Sequence, residues 1–308
     1  MKSIIYLFKY KLLTIFVILN LILKNEKNLK VCLCTLGKEE NKYAREFVEH
    51  YKKYDVDKII IYDNNEILGE AFDLVLSDYI KNNYVEIINY RGKNKIQIPI
   101  LNDCYKNNVN KYDWIIFYDM DEFIFLKNYS SIKYFLNNNN FKSCNIIYLN
   151  WVNHIDNDQI YYQNESLFKR FPKYINNEVN VSVKSIVRGH RSKIYINHNH
   201  IINPKLSSCN EFGIKKKFIN SIHTDKPDYK YYYIDHFRFK STEEYINKIR
   251  RGDCFYGNYS KLTFEVIKFY FKSNRITLNK IKYFESKSNL NLSFFRDILN
   301  KEQNKSLI

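Results

Sequence analysis

Short apolar runs alternate with segments whose apolar residues recur at helical spacing, and this alternation sets the expected fold. Residues 29–36 form a continuous apolar run of strand length, and residues 38–53 then place Tyr43, Phe47 and Tyr51 on one helix face. Further strands are predicted over 58–62, 84–89 and 114–118, with helices over 68–80 and 97–108 between them. Strict alternation implies right-handed crossovers and a mainly parallel sheet with helices on both faces. Ligands of such sheets gather at the carboxyl ends of the strands. That rule points to residues 35–39, 63–65, 91–95 and 119–122.

Beyond residue 140 the rhythm becomes strand-rich (144–150, 166–171, 179–187, 230–237) and then helical to the C-terminus. No Pro, Gly or Ser linker separates the two parts, so they are expected to share one globular unit. The expected fold class is therefore α/β: a mainly parallel central sheet, a strand-rich second half and C-terminal helices. The expected divisions are an N-terminal hydrophobic anchor and flank (1–28), a main domain (29–273, with halves 29–125 and 126–273) and a C-terminal helical segment (274–308).

The N-terminal segment 3–23 is apolar apart from Lys9, Lys11 and Asn20. As a helix it would reach about 30 Å, enough to cross a bilayer if the lysines extend towards one interface. No small-residue cleavage site follows, which favours an uncleaved membrane anchor; a helix lying on the membrane surface is the alternative. Lysines flank both sides, so the side of the membrane is not set.

Charge adds a preference for anionic partners. The 308 residues carry 49 Lys and Arg against 33 Asp and Glu, a formal net charge of +16, but the basic residues are dispersed among acidic ones. Nucleotide phosphates or anionic lipid headgroups fit this better than nucleic acid, for which no helix-turn-helix or RNA-recognition signature is present. A dehydrogenase lacks its G-x-G-x-x-G and a P-loop enzyme its GK[ST]. The six cysteines (Cys32, Cys34, Cys104, Cys144, Cys209, Cys254) show neither CxxC spacing nor disulfide-scaffold density, so buried free thiols are expected.

The most informative stretch is 114–123, WIIFYDMDEF, where a buried-type strand runs into Asp119-Met120-Asp121-Glu122. Two carboxylates at i and i+2, where the chain leaves a sheet, can turn towards one hard cation, Mn²⁺ or Mg²⁺. Such an ion would neutralise charge developing on a nucleotide diphosphate leaving group. The D-x-D pattern alone is weak, since Asp55-Val56-Asp57 and Asp156-Asn157-Asp158 share it. Its position after the fourth strand is what distinguishes this copy from a helix-capping aspartate.

Several ordered blocks carry a family resemblance. Residues 31–65 (VCLCTLGKEENKYAREFVEHYKKYDVDKIIIYDNN), 97–123 with Gln97, Asp103, Cys104, Trp114 and the Asp-x-Asp-Glu-Phe ending, 149–171 with Trp151 and Lys169-Arg170-Phe171, then Val183 to Val187, and 236–252 (HFRFKSTEEYINKIRRG) resemble glycosyltransferase family 92. This resemblance implies a GT-A-like fold and transfer of a sugar from a nucleotide-sugar donor, a UDP-sugar, to a hydroxyl of a glycan or glycolipid acceptor, with inversion. It implies donor contacts from Thr35, Lys38, Glu39, Asp63, Gln97, Asp103 and Asp119, and a metal held by Asp119, Asp121 and His236. On this scheme 29–125 is the nucleotide-sugar half and 126–273 the acceptor half.

An inverting transferase needs a general base; Asp156 and Asp158 are the candidates, in a loop that departs from the Gly-containing one common in the family. Lys169, Arg170 and Lys184 are candidate phosphate contacts. The rival reading is a non-catalytic membrane-surface protein of the same fold that recognises anionic glycans or lipids.

Overall fold

The computed structural model describes residues 29–94, 96–174, 182–190, 195–197, 200–201, 206–216, 218–219, 222–223, 228–252 and 261–305. The expected anchor, 1–28, lies outside them. Among the described residues no helix is long and apolar enough to cross a membrane.

The first half alternates as the pattern predicts: β1 (Val31–Gly37), α1 (Asn41–Lys53), β2 (Lys58–Asp63), α2 (Phe72–Lys81), β3 (Val85–Asn89), α3 (Gln97–Asn108) and β4 (Trp114–Phe117). Next come β5 (Glu122–Leu126), α4 (Ile132–Leu136), β6 (Ile146–Asn153), α5 (Leu167–Arg170) and β7 (Val183–Arg188). Short ladders pair β8 (Ile196–Asn197) with β9 (His200–Ile201) and β11 (Phe218–Ile219) with β12 (Ile222–His223). β10 (Ser208–Cys209), β13 (Tyr232–His236), α6 (Thr242–Arg250), α7 (Phe264–Ser273), α8 (Leu278–Ser288) and α9 (Ser293–Lys305) complete the set.

Strands run β3-β2-β1-β4-β7-β6-β13-β5, with β10 added beside β6. β3, β2, β1 and β4 are mutually parallel; β7 is antiparallel to both β4 and β6, and β5 is antiparallel to β13. The sheet is mainly parallel, and its central strands are covered on both faces. All seven residues of β1 are buried, the condition under which a strand reads as unbroken apolar sequence. Val31 and Leu33 face a core that includes Phe47, Tyr51, Phe72 and Trp114, under α1 and α2. Cys32, Cys34 and Leu36 face the opposite core, with Ile100, Leu101 and Cys104 of α3.

Three sequence expectations need correction. The cysteines are not all free thiols: Cys34 is bonded to Cys104, strapping α3 onto β1, and Cys144 to Cys209, joining the approach to β6 to β10. Cys32 remains a buried thiol. Residues 166–171 form a helical turn and not a strand, because the Ser166 hydroxyl accepts from Lys169 N and caps it. The second helix starts at Phe72, not residue 68: residues 66–69 make a turn, and the Arg91 guanidinium donates to the carbonyls of Glu66 and Gly69.

The C-terminal helices build a third core in which Phe239, Tyr245 and Ile246 pack with Ile267, Tyr270, Ile281, Phe284 and Phe295. The expected boundary at 273/274 cuts through this layer. α7, α8 and α9 share one apolar interior with α6.

Candidate functional site

The carboxyl ends of β1, β2 and β4 converge on one face. Gly37, at the end of β1, makes this convergence possible: a Cβ there would lie 2.5 Å from the Phe72 ring and 2.8 Å from Met120 Sδ. β1 therefore closes against the Asp119-Met120-Asp121 segment as no larger residue would allow.

That segment turns sharply between β4 and β5. The Glu122 amide donates to the Asp119 carbonyl, and the Glu122 carboxylate reaches back so that Oε2 accepts from Asp119 N at 2.9 Å. β5 pairs with β13 in a register that sets His236 opposite Glu122, and Phe237 N donates to Asp121 O. The far half of the chain thus delivers a histidine to the aspartates. Asp121, Glu122 and His236, all buried, bring one ligand atom each within 4.8 Å of one another.

Charges in the cluster are unevenly balanced. Lys184, on β7 and fully buried, lies 2.6 Å from Asp119 Oδ2 and 3.3 Å from Glu122 Oε1. Lys248, in the last turn of α6, donates to Asp121 Oδ2 at 2.6 Å. Burial would raise the Asp121 carboxyl, but Lys248, His236 and Lys240 outweigh it and hold the group well below the usual range. Burial pushes Glu122 well upward, more than Lys184 compensates, and Asp119 and Asp121 add to the rise. Burial likewise depresses His236 strongly, although Asp121 pulls the other way.

These residues fit a divalent cation. His236 Nδ1 donates to Asn153 Oδ1 at 3.0 Å, which turns Nε2 towards Asp121 Oδ1 at 3.6 Å, where in the neutral ring it can bind a cation. Glu122 Oε1 is buried with no hydrogen-bond partner. One neutral imidazole and two carboxylates are a donor set suited to Mn²⁺ or Mg²⁺. Asp119, expected as a ligand, stands apart from this trio, with one oxygen held by Lys184.

Residues 27–253 match Glycosyltransferase family 92. The chain belongs to that family. No functionally curated protein matches it. Among solved structures it is similar to S. aureus TarS 1–349 (14% identity, TM-score 0.34, covering 72% of this chain and 64% of that one) and to TarS 1–349 in complex with UDP-GlcNAc (14%, 0.33, 52% and 45%). It is also similar to an active-site mutant of LgtC (9%, 0.23, 40% and 45%). The chain spans less than two thirds of the length of each, and no residue role is taken from them.

In this family 92 chain the remaining expected donor contacts fall into two groups. Asp63 is buried: Oδ1 accepts from Asn65 N and Nδ2, and Oδ2 pairs with Arg91 at 3.3 Å. It shapes an Asx turn, and Asn65 Oδ1 in turn accepts from Glu39 N at 2.6 Å, tying the ends of β1 and β2 together. Thr35 is buried on β1, while Lys38 pairs with Glu66 at 2.6 Å and Glu39 is exposed with φ 54°. Gln97 opens α3, half-buried, and Asp103 accepts from Tyr62 OH at 2.6 Å behind β2.

The structure does not support the two base candidates. Asp156 is 1% exposed; its carboxylate accepts from Tyr270 OH and pairs with Lys280 Nζ at 2.6 Å, and its amide donates to Asn274. Asp158 shares the same lysine at 2.9 Å. Both clamp the C-terminal helices to the loop after β6. Arg170 is likewise no phosphate contact: it is buried and forked onto Glu244, and Lys169 pairs with Glu165 on the surface.

Several residues of the site were not assigned a role from the sequence, among them Glu40, Glu122, Asn153, Lys240, Lys248 and Arg251. Burial would raise Glu40, but Lys240 and Arg251 hold it below the usual carboxylate range. Arg251 also donates to the carbonyls of Lys38 and Glu39. A cavity of about 330 Å³ opens beside these groups, lined by five Lys and Arg side chains, Lys248 among them, and by Glu39, Glu40, Glu70 and Glu244. Glu39 and Lys240, on two of its walls, both hold left-handed backbone, a costly conformation for non-glycine residues that tends to mark functional sites.

Proposed function

We propose that this chain is a metal-dependent glycosyltransferase that moves a sugar from a UDP-sugar to a hydroxyl of a glycan or glycolipid, with inversion. The observation that carries the reading is the buried trio of Asp121, Glu122 and His236 at the carboxyl end of a mainly parallel sheet, in a family 92 chain. Asp121 and His236 would hold the cation, with Glu122 beside them. When bound, it would act as a Lewis acid on the leaving diphosphate.

The protein's own groups supply the rest. Asn153 orients the His236 ring, Lys184 pairs with Asp119 and Glu122, and Lys42 and Arg250 bring positive charge to the cavity where a diphosphate would lie, while Lys240 and Arg251 are held by Glu40. Retention of these carboxylates argues against a non-catalytic relative, in which they would be free to disappear. Segment 3–23 would anchor the chain in a membrane, and two disulfides favour an oxidising compartment for the domain.

The test is donor hydrolysis by the full chain in detergent across a panel of nucleotide sugars. Turnover with added Mn²⁺ that disappears in excess EDTA supports the reading; full turnover in EDTA contradicts the metal dependence.

A further inference from the structure

Two lysines sit on the aspartates of the D-x-D segment, and their surroundings differ. Lys184 is 1% exposed, projects from the start of β7 and touches two carboxylates, so it has nowhere to go. Lys248 is 32% exposed, projects from the last turn of α6 and lines the adjoining cavity, whose walls carry both basic and acidic side chains. Among the described residues its other hydrogen bond is to the Arg238 carbonyl, at 3.4 Å. Rotation about its four-carbon stem can carry its ammonium from Asp121 into that cavity.

Asp121 is also the residue whose other oxygen faces Nε2 of His236. A divalent cation entering there meets a carboxylate already paired with a monovalent one. Two cations on one buried carboxylate repel each other strongly. The ammonium therefore has reason to leave when the metal arrives, and a phosphate in the adjoining cavity would offer it a partner beside the carboxylates of Glu39, Glu40, Glu70 and Glu244 that line it.

We propose that Lys248 is a resident counter-ion for Asp121 that the metal displaces and the donor diphosphate then receives, which makes metal and donor binding interdependent. This rests on the reading of the cluster as a metal site. Lys248 is a positioning residue in this scheme: it lowers the affinity of the empty protein for metal and returns that cost once the nucleotide is present. Linkage requires the nucleotide to tighten metal binding by the same factor as metal tightens nucleotide binding. Direct metal–phosphate bonds also couple the two ligands, but they do so whatever residue stands at 248. The difference between wild type and a 248 variant isolates the lysine.

The experiment is calorimetric titration of Mn²⁺ into the full chain in detergent, with and without saturating UDP, for wild type, Lys248→Met and Lys248→Arg. Without UDP, Lys248→Met should bind Mn²⁺ about tenfold tighter than wild type, and the tightening produced by UDP should shrink by about the same factor, within the roughly 5–150-fold span usual for coupled sites. Lys248→Arg, which keeps the cation, should stay near wild type. Unchanged or weaker Mn²⁺ binding by Lys248→Met without UDP overturns the proposal. So does a UDP effect of undiminished size. If wild type takes up no Mn²⁺ with or without UDP, the metal reading itself falls and the proposal with it, an outcome distinct from a metal site indifferent to residue 248.

Discussion

Oδ1 of Asp121 and Nε2 of His236 lie 3.6 Å apart. The ring turns Nδ1 to Asn153 Oδ1, which accepts its proton at 3.0 Å, and burial disfavours a second proton on the ring. In the neutral ring the Nε2 lone pair faces a carboxylate oxygen, an arrangement that a cation between them would relieve. The relationship also links distant parts of the chain, since His236 reaches Asp121 only because β13 pairs with both β5 and β6.

Asn153 therefore fixes the tautomer without touching the ion. Asn153→Leu should weaken Mn²⁺ binding about 10–100-fold, the usual cost of losing a partner behind a metal ligand. Titration calorimetry on the folded variant measures this. Unchanged affinity would mean that the ring is held by its packing on Trp151, 4.5 Å away between ring centroids.

The Asp156, Tyr270 and Lys280 cluster has a different expected signature. Lys280→Met leaves a buried carboxylate without its cation and should cost about 3–5 kcal/mol of stability, while the folded fraction keeps its kcat. Chemical denaturation combined with active-fraction kinetics separates the two. A variant of Asp156 that is stable yet inactive would return that residue to the role of general base.

Much of the fold was legible because parallel strands buried on both faces leave continuous apolar runs. The helix expected at 97–108 is found there without change, and the carboxyl-end rule gathers residues 35–39, 63–65 and 119–122 on one face. His236 could be singled out because it opens the block 236–252 that carries the family resemblance; it does end a strand, and the helix after it begins with a capping box of Ser241 and Glu244. What stayed hidden depends on distance. The Lys248 to Asp121 contact joins residues 127 apart, and the pairing of Cys34 with Cys104 spans 70; no local pattern reports either. Residues 166–171 misled because a short apolar run suits a strand or a helical turn equally, and the cap on Ser166 with the Arg170 to Glu244 contact decides between them.

His50 gives the fold a defined acid response. Burial pushes its imidazole from 6.5 down to about 4, only partly offset by its bond to the Ile124 carbonyl. The folded chain keeps this ring neutral while the unfolded chain protonates it. Stability should therefore decline as pH falls from 6.5 towards 4, by about 3 kcal/mol from this residue once below that window. His50→Gln, which keeps a donor for Ile124, should flatten that part of the curve in urea titrations across the same pH range. A curve of unchanged slope would assign the acid sensitivity to other groups.

The cation site is most directly tested by anomalous diffraction at the manganese edge from crystals of the protein grown with Mn²⁺ and UDP. The account predicts one strong peak about 2 Å from both a carboxylate oxygen of Asp121 and Nε2 of His236, lost in Asp121→Asn. A peak elsewhere, or none while UDP is clearly bound, would contradict it.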